Sequence, residues 1–310
     1  MKSIEGKGFI VQERKYGELR LLTRQPVNYC DKPIGTYSTL LGDIDFGDKH
    51  GKIVQEVLEE QLYNFIEQSR ILLKKTLTVG LGNGAVLVDS LGPRTCDRLT
   101  EIKSRVKTLK QSTFGLTGVV TADAVAEKAR IIKPSHAIIV DSLSSIEPNR
   151  IHSFQVSDSG GLAPGSEIDK SELVRLIEQI IQGYHSGEIA EEEINEILTE
   201  VELNDISELI TYLERLKKAS KRVDSELLGT PVLSIGVPMI LNPILLNQDY
   251  ILQAIAGGGW GLQDIEDLSK FIVDERGHIV PKDPTLTSDA VSFYSENIAY
   301  AIDKIDKQSR

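Results

Sequence analysis

Cysteine is scarce: Cys30 and Cys96 are the only two in 310 residues, and their spacing fits no metal motif. That excludes a disulfide framework, and both read as free thiols of a reducing compartment. Tryptophan occurs once, Trp260, inside the glycine-rich turn 257–261, where packing is its expected role. No apolar run approaches the roughly eighteen residues of a membrane span. The first residues, MKSIEGKGFIVQERKYGELR, lack the apolar core of a signal peptide, so a cytoplasmic protein without a membrane partner is expected. Positive charge is in deficit, 35 Lys and Arg against 46 Asp and Glu, for a net charge of −11. Such a field repels phosphates, and direct nucleic-acid binding is not expected. There is no phosphate-loop lysine motif and no Gly-x-Ser-x-Gly elbow with plausible partners.

What remains is an ordinary globular balance, 40% hydrophobic and 26% charged. Residues 1–50 alternate short β-like runs (GFIVQE, ELRLLTR) with turns. Residues 53–75 then carry Val54, Val57, Leu58, Leu62, Phe65 and Ile66 at three- and four-residue intervals, the mark of a helix with one buried face. TLTVGLG (76–82) reads as a buried strand opening into a glycine loop. TADAVAEKARIIK (121–133) reads as a helix starting at a capping Thr121 and stopped by Pro134. HAIIVDSL (136–143), IHSFQVSD (151–158) and PVLSIGVPMIL (231–241) read as further strands, the second an edge or antiparallel one. Apolar strands alternating with helices predict an α/β fold, a mainly parallel, mixed sheet with helices on both faces.

Residues 169–220 break that rhythm. Three stripes (Leu173, Leu176, Ile177, Ile180; Ile194, Ile197, Val201; Ile206, Leu209, Leu213, Leu216) predict a helical insertion, with capping-box spacing at Asp169/Glu172 and Asp205/Glu208. The domain scheme is a single α/β domain from 1–168 and 221–310, interrupted by this insertion. Its glutamate-rich outer faces suit either a solvated bundle or a docking surface.

Asp89 follows the TVGLGNGAVLV segment, and Asp141 closes AIIVD. In a parallel sheet the carboxyl ends of strands open on one side, so two such acids can face each other. A close pair holds one proton between them and can serve as base and acid. The alternative is that each merely caps a turn. GLGNGA (80–85) fits a dinucleotide fingerprint loosely, but no acid-terminated second strand follows it. His136, His152 and Asp158 could join the two acids in a metal site.

Four ordered blocks go further: TVGLGNGAVLVDSLGP, FGLTGVVTADAVAEKARIIKPSHAIIVDSLSS, FQVSDSGGLAPGS and ELLGTPVLSIGVPMIL. From about residue 36 to 168, and again from 221, they resemble the germination proteases of spore-forming bacteria. That resemblance implies a hydrogenase-maturation-protease-like fold. It also implies an aspartic-type endopeptidase that cleaves small acid-soluble spore proteins during germination, in the forespore or spore core. Asp89 and Asp141 match the family's essential aspartates. Asn83, Asp158, Gly160 and Gly165 are candidates for binding substrate or supporting the pair. No cofactor is implied, and a homo-oligomer follows from family precedent. GGLAPGS departs from the family's pattern after Asp158, and no N-terminal processing segment is evident. Two alternatives therefore stay open: a metal-dependent maturation-type peptidase, and a non-catalytic paralogue acting as a binding protein.

Overall fold

The architecture is that of a computed structural model, which describes residues 2–6, 9–26, 35–69, 75–112, 120–158, 170–200, 203–219, 222–242, 245, 251, 262–275 and 277–308. The chain opens on an antiparallel wing of four strands: β1 (Lys2–Gly6), β2 (Phe9–Tyr16), β3 (Leu19–Pro26) and β4 (Tyr37–Leu41). β2 and β3 are joined by a two-residue turn in which Gly17 takes φ +63°, a conformation glycine adopts without steric cost. Helix α1 (Asp48–Ser69) follows. The α/β part then runs β5 (Thr76–Leu81), a short 3₁₀ turn (Leu87–Asp89), α2 (Leu91–Glu101), β6 (Lys107–Gln111), α3 (Thr121–Ile132) and β7 (His136–Ser145). A second turn, Pro148–Arg150, leads to β8 (Phe154–Ser157).

Three helices come next: α4 (Lys170–Ser186), α5 (Glu191–Glu200) and α6 (Ile206–Ala219). The chain closes with α7 (Ser225–Leu228), β9 (Val232–Leu241), α8 (Leu262–Leu268), the hairpin β10 (Phe271–Val273) and β11 (Ile279–Pro281), and α9 (Pro284–Gln308).

All eleven described strands join one sheet, in the order β1-β2-β3-β4-β8-β9-β7-β5-β6, with β11 attached to the end of β9 and β10 beyond it. The block β9-β7-β5-β6 is parallel, and the wing and the hairpin are antiparallel. β8 is antiparallel as expected. It is not an edge strand, because β4 covers one side and β9 the other.

Inside the edge strand β6 both faces of the parallel block are buried, which is why β5 and β9 read as continuous apolar runs: all ten residues of β9 and all six of β5 are buried. Alternation sends Ile138, Val140, Leu233 and Ile235 toward α1, α2 and α9, and Ala137, Ile139, Leu77 and Val79 toward α3. The long helix α9 supplies Val291, Tyr294, Ile298 and Ile302 to the first of these cores.

α3 starts one residue earlier than a Thr121 cap requires. Val120 holds the cap position, and the Thr121 hydroxyl donates instead to Ser112 O at 3.0 Å. Its other end is as expected, with Lys133 left-handed at φ +51° just before Pro134. α4, α5 and α6 build a separate small core from Ile177, Ile194, Leu198, Leu209 and Leu213. The Asp205/Glu208 cap is formed, since Glu208 N donates to Asp205 Oδ1 at 2.9 Å. The Glu208 carboxylate reaches back to Asn204 N at 2.8 Å rather than to Asp205. The Asp169/Glu172 pair lies outside the described residues.

Candidate active site

The site is built from the end of β5 upward. β5 stops at Gly82, whose φ of +111° turns the chain sharply. A Cβ there would lie 2.2 Å from Asp89 O and 2.6 Å from Asp89 Oδ1, so the Asp89 carboxylate folds back over the strand end. Asn83 N donates to Asp89 Oδ2 at 2.8 Å, and Asn83 Oδ1 accepts from Ala85 N at 3.0 Å. Asn83 thereby closes its own turn through its side chain and holds Asp89 through its backbone.

α2 then drops onto the sheet through a second close approach. A Cβ on Gly92 would lie 2.4 Å from Leu81 O and 2.5 Å from Val140 O, and one on Gly80 would lie 2.1 Å from Gly92 O. Only glycine allows this depth of packing. It seats the start of α2 across β5 and β7 beside Val140, the residue before Asp141. The Leu87–Asp89 turn lies against both β7 and β9.

Asp141 sits within β7, only 5% exposed and in register with Gly236 of β9. Strand alternation places it on the α3 face of the sheet, with Ala137 and Ile139. Gly236 serves this region too. A Cβ there would lie 2.4 Å from Leu143 Cδ1, so its absence lets Leu143 lie across β9 beside Asp141. The sequence signal for Gly236 was a glycine inside an otherwise apolar run. Ser142 and Ser234 went unremarked because serine in a strand is an unspecific signal; each buries a hydroxyl without a hydrogen-bond partner among the described residues.

Asp158 lies elsewhere. β8 runs antiparallel to β9, with Gln155 level with Gly236 and Ser157 level with Ser234. Asp158 is therefore roughly 10 Å further toward the start of β9 than the level of Asp141, at about 3.3 Å per residue. There its Oδ1 accepts from Thr36 N at 2.5 Å, tying β8 to the start of β4. It lines a separate polar cavity of about 200 Å³ with Arg14, Gln61 and Asn64. Gly160 and Gly165 lie outside the described residues.

The histidines are also dispersed. His136 is buried at the opposite end of β7, and burial lowers its pKa to about 4. His152 takes φ +62° after the second turn, its carbonyl accepts from Tyr294 Oη, and its ring meets Phe46 edge-on. That is the α9 face, opposite Asp141. Burial lowers its pKa to about 4 as well. Among the described residues no three His, Cys, Asp or Glu side chains gather as a metal would require, so no step is derived through one. Cys96 is buried on the sheet-facing side of α2, where desolvation raises its thiol to about 11 and leaves it no nucleophilic character near neutrality. No described helix is long and apolar enough to cross a membrane.

The family model of the germination proteases matches residues 2–175, more than half of the chain. The chain belongs to the germination protease family. The match extends the resemblance, read from residue 36 in the sequence, back through the antiparallel wing. Curated germination proteases are similar at low identity. That of Oceanobacillus iheyensis is 23% identical over 292 residues, covering 86% of this chain and 66% of its own length. That of Bacillus subtilis is 24% identical over 274 residues, covering 80% and 61%. That of Priestia megaterium is 23% identical over 269 residues, covering 80% and 60%. The chain thus spans about 60–66% of the length of these relatives. A solved NiFe hydrogenase maturation protease, HycI from Thermococcus kodakarensis KOD1, aligns over 81% of this chain and 99% of its own at 14% identity, with a TM-score of 0.36. That likeness is too slight to carry an argument.

Proposed function

We propose that this germination-protease family member is an endopeptidase in which Asp89 and Asp141 act as a pair on a water molecule, and that its substrates are small acid-soluble spore proteins. The observation that supports the pairing most is the glycine-packed turn. Gly82 lets the Asp89 carboxylate fold over the end of β5, and because Gly80 is level with Val140, that turn stands one residue past the level of Asp141 on the neighbouring strand β7.

Two carboxyls brought close share one proton near neutral pH, because both cannot ionise cheaply. Asp89, which already accepts from Asn83 N, is the charged partner and the base. Asp141, almost fully buried on its strand, carries the proton and is the acid. Asp89 takes a proton from water as the oxygen adds to the peptide carbonyl carbon. Asp141 then gives its proton to the amide nitrogen as the C–N bond breaks, leaving a carboxylic acid and an amine. Positioned acid and base groups of this kind contribute about 10²–10⁴ in rate.

Purified protein incubated with a small acid-soluble spore protein is expected to yield discrete internal fragments by mass spectrometry, unaffected by chelator. Intact substrate after incubation with freshly prepared enzyme across pH 5–8 would defeat the proposal, and loss of cleavage on chelation would transfer the chemistry to a metal.

A further inference from the structure

Beside the Asp89 turn runs a groove of about 480 Å³. One wall is the segment 85–88 that leads into Asp89, and the other is the β10–β11 hairpin with Ile272 and Val280. These two are cross-strand partners and project on the same face. The apolar surface is left in water: Leu87 is 37% exposed, Ile272 46% and Val273, beyond the rim, 51%. Exposed apolar surface gathered in a groove marks a site of interaction.

The backbone of β10 adds a second feature. Lys282 N donates to Lys270 O and Asp274 N to His278 O, each at 2.9 Å. Inward and outward pairs alternate along an antiparallel ladder, so Lys270, Ile272 and Asp274 turn their backbone groups toward β11. Phe271 and Val273 turn theirs to the opposite edge, where no described strand pairs with them. A peptide edge that no described strand pairs with therefore adjoins an apolar groove whose other wall, 85–88, runs into Asp89.

We propose that β10 and this groove dock an extended segment of the protein substrate as an added strand, with an aliphatic or aromatic side chain lodged between Leu87 and Ile272. The inference rests on the protease reading above and adds how substrate is held. Hydrogen bonds to Phe271 and Val273 would hold any extended backbone, and the groove supplies the preference for an apolar residue. Leu87 is two residues from Asp89, which sets that residue within a few positions of the scissile bond. Asp274 and Glu275 against the single Lys282 leave the rim net acidic, which disfavours an acidic neighbour. A folded helix could not use the strand edge, so substrate must be unfolded at the cut.

Two surface variants test this. Val273→Pro removes an outward N–H without touching the ladder to β11, and Ile272→Glu charges the groove. Each is expected to raise KM for a small acid-soluble spore protein at least about tenfold with kcat unchanged. Cleavage of a short peptide spanning only the scissile bond should not change. Independently of turnover and of how the variants fold, Asp141→Asn protein mixed with the same substrate should show slowed hydrogen exchange at the amides of Phe271 and Val273. Cleavage by wild type with neither protection nor a KM change overturns the docking site and leaves the protease reading intact. Protection without cleavage by wild type does the reverse. Protection that needs no substrate and grows with protein concentration means a second copy occupies the edge, which also overturns the proposal.

Discussion

At the scale of single residues, the site is made by what glycine leaves out. Gly82 has a left-handed φ and Asp89 oxygens where its Cβ would stand, so Gly82→Ala has to move the carboxylate. The strain alone costs about 1–3 kcal/mol. The larger effect belongs to activity, because a displacement of about 1 Å in a catalytic group can cost on the order of 100-fold. Gly82→Ala is therefore expected to lose peptidase activity about 100-fold while still folding, as measured by kcat/KM beside a thermal melt. Gly92→Ala should damage the fold itself, since its new methyl would meet backbone of both β5 and β7 rather than a yielding side chain. A melt in which Gly92→Ala equals wild type would contradict that packing.

Two histidines tie stability to pH. Burial holds His136 and His152 at pKa values of about 4, against 6.5 for the unfolded chain. Between those values the unfolded chain binds protons that the native one does not. Their stabilisation is thus complete above about pH 6.5 and is lost as pH falls toward 4. The slope approaches roughly 1.4 kcal/mol per pH unit for each. Urea midpoints should drop from pH 7 to 5, and His136→Phe, which keeps a ring beside Phe65, should flatten the drop. Equal slopes in variant and wild type would mean that His136 titrates normally.

At the scale of elements, the three-helix unit α4–α6 stands apart energetically. Its described core, with Ile177, Ile194, Leu198, Leu209 and Leu213, is shared with neither core of the sheet. Local opening follows buried contact, so amides of α5 and α6 should exchange faster, through sub-global opening, than those of β7 and β9. Uniform protection across all of them would show one cooperative unit.

What was legible in the sequence divides along the same physical line. β5, β7 and β9 announced themselves because burial on both faces leaves an unbroken apolar run. α1 and the three short helices showed through their periodic stripes. β6 did not, since KTLKQ at the sheet edge is largely polar. α9 also went unread, although Asp283 accepts from Thr285 N at its start and Ala290, Val291, Tyr294, Ile298 and Ile302 recur along it. Its small and polar residues between those positions, among them Ser295 and Asn297, dilute the stripe, yet they too are buried. Of the candidate site, Asp89, Asn83 and Asp141 were visible as positions. The separation of Asp158 was not, because it depends on β8 running against β9, a matter of topology rather than of residue type.

At the scale of the whole molecule, one sheet carries both parts. The antiparallel wing extends the parallel block through β8, and α1 and α9 close a shared core over both. The family match spans the wing and the strands β5, β6 and β7 of the block and ends at residue 175, within α4, so β9 lies beyond it. The central claim is that two acids 52 positions apart in sequence work as one group. The most direct test compares kcat/KM for wild type, Asp89→Asn, Asp141→Asn and the double variant on the same small acid-soluble spore protein. Residues that act as a unit are not additive, so each single change should cost about 10³-fold or more and the double change no more than either alone. Near wild-type cleavage in either single variant, or losses that multiply in the double, would contradict a shared catalytic pair.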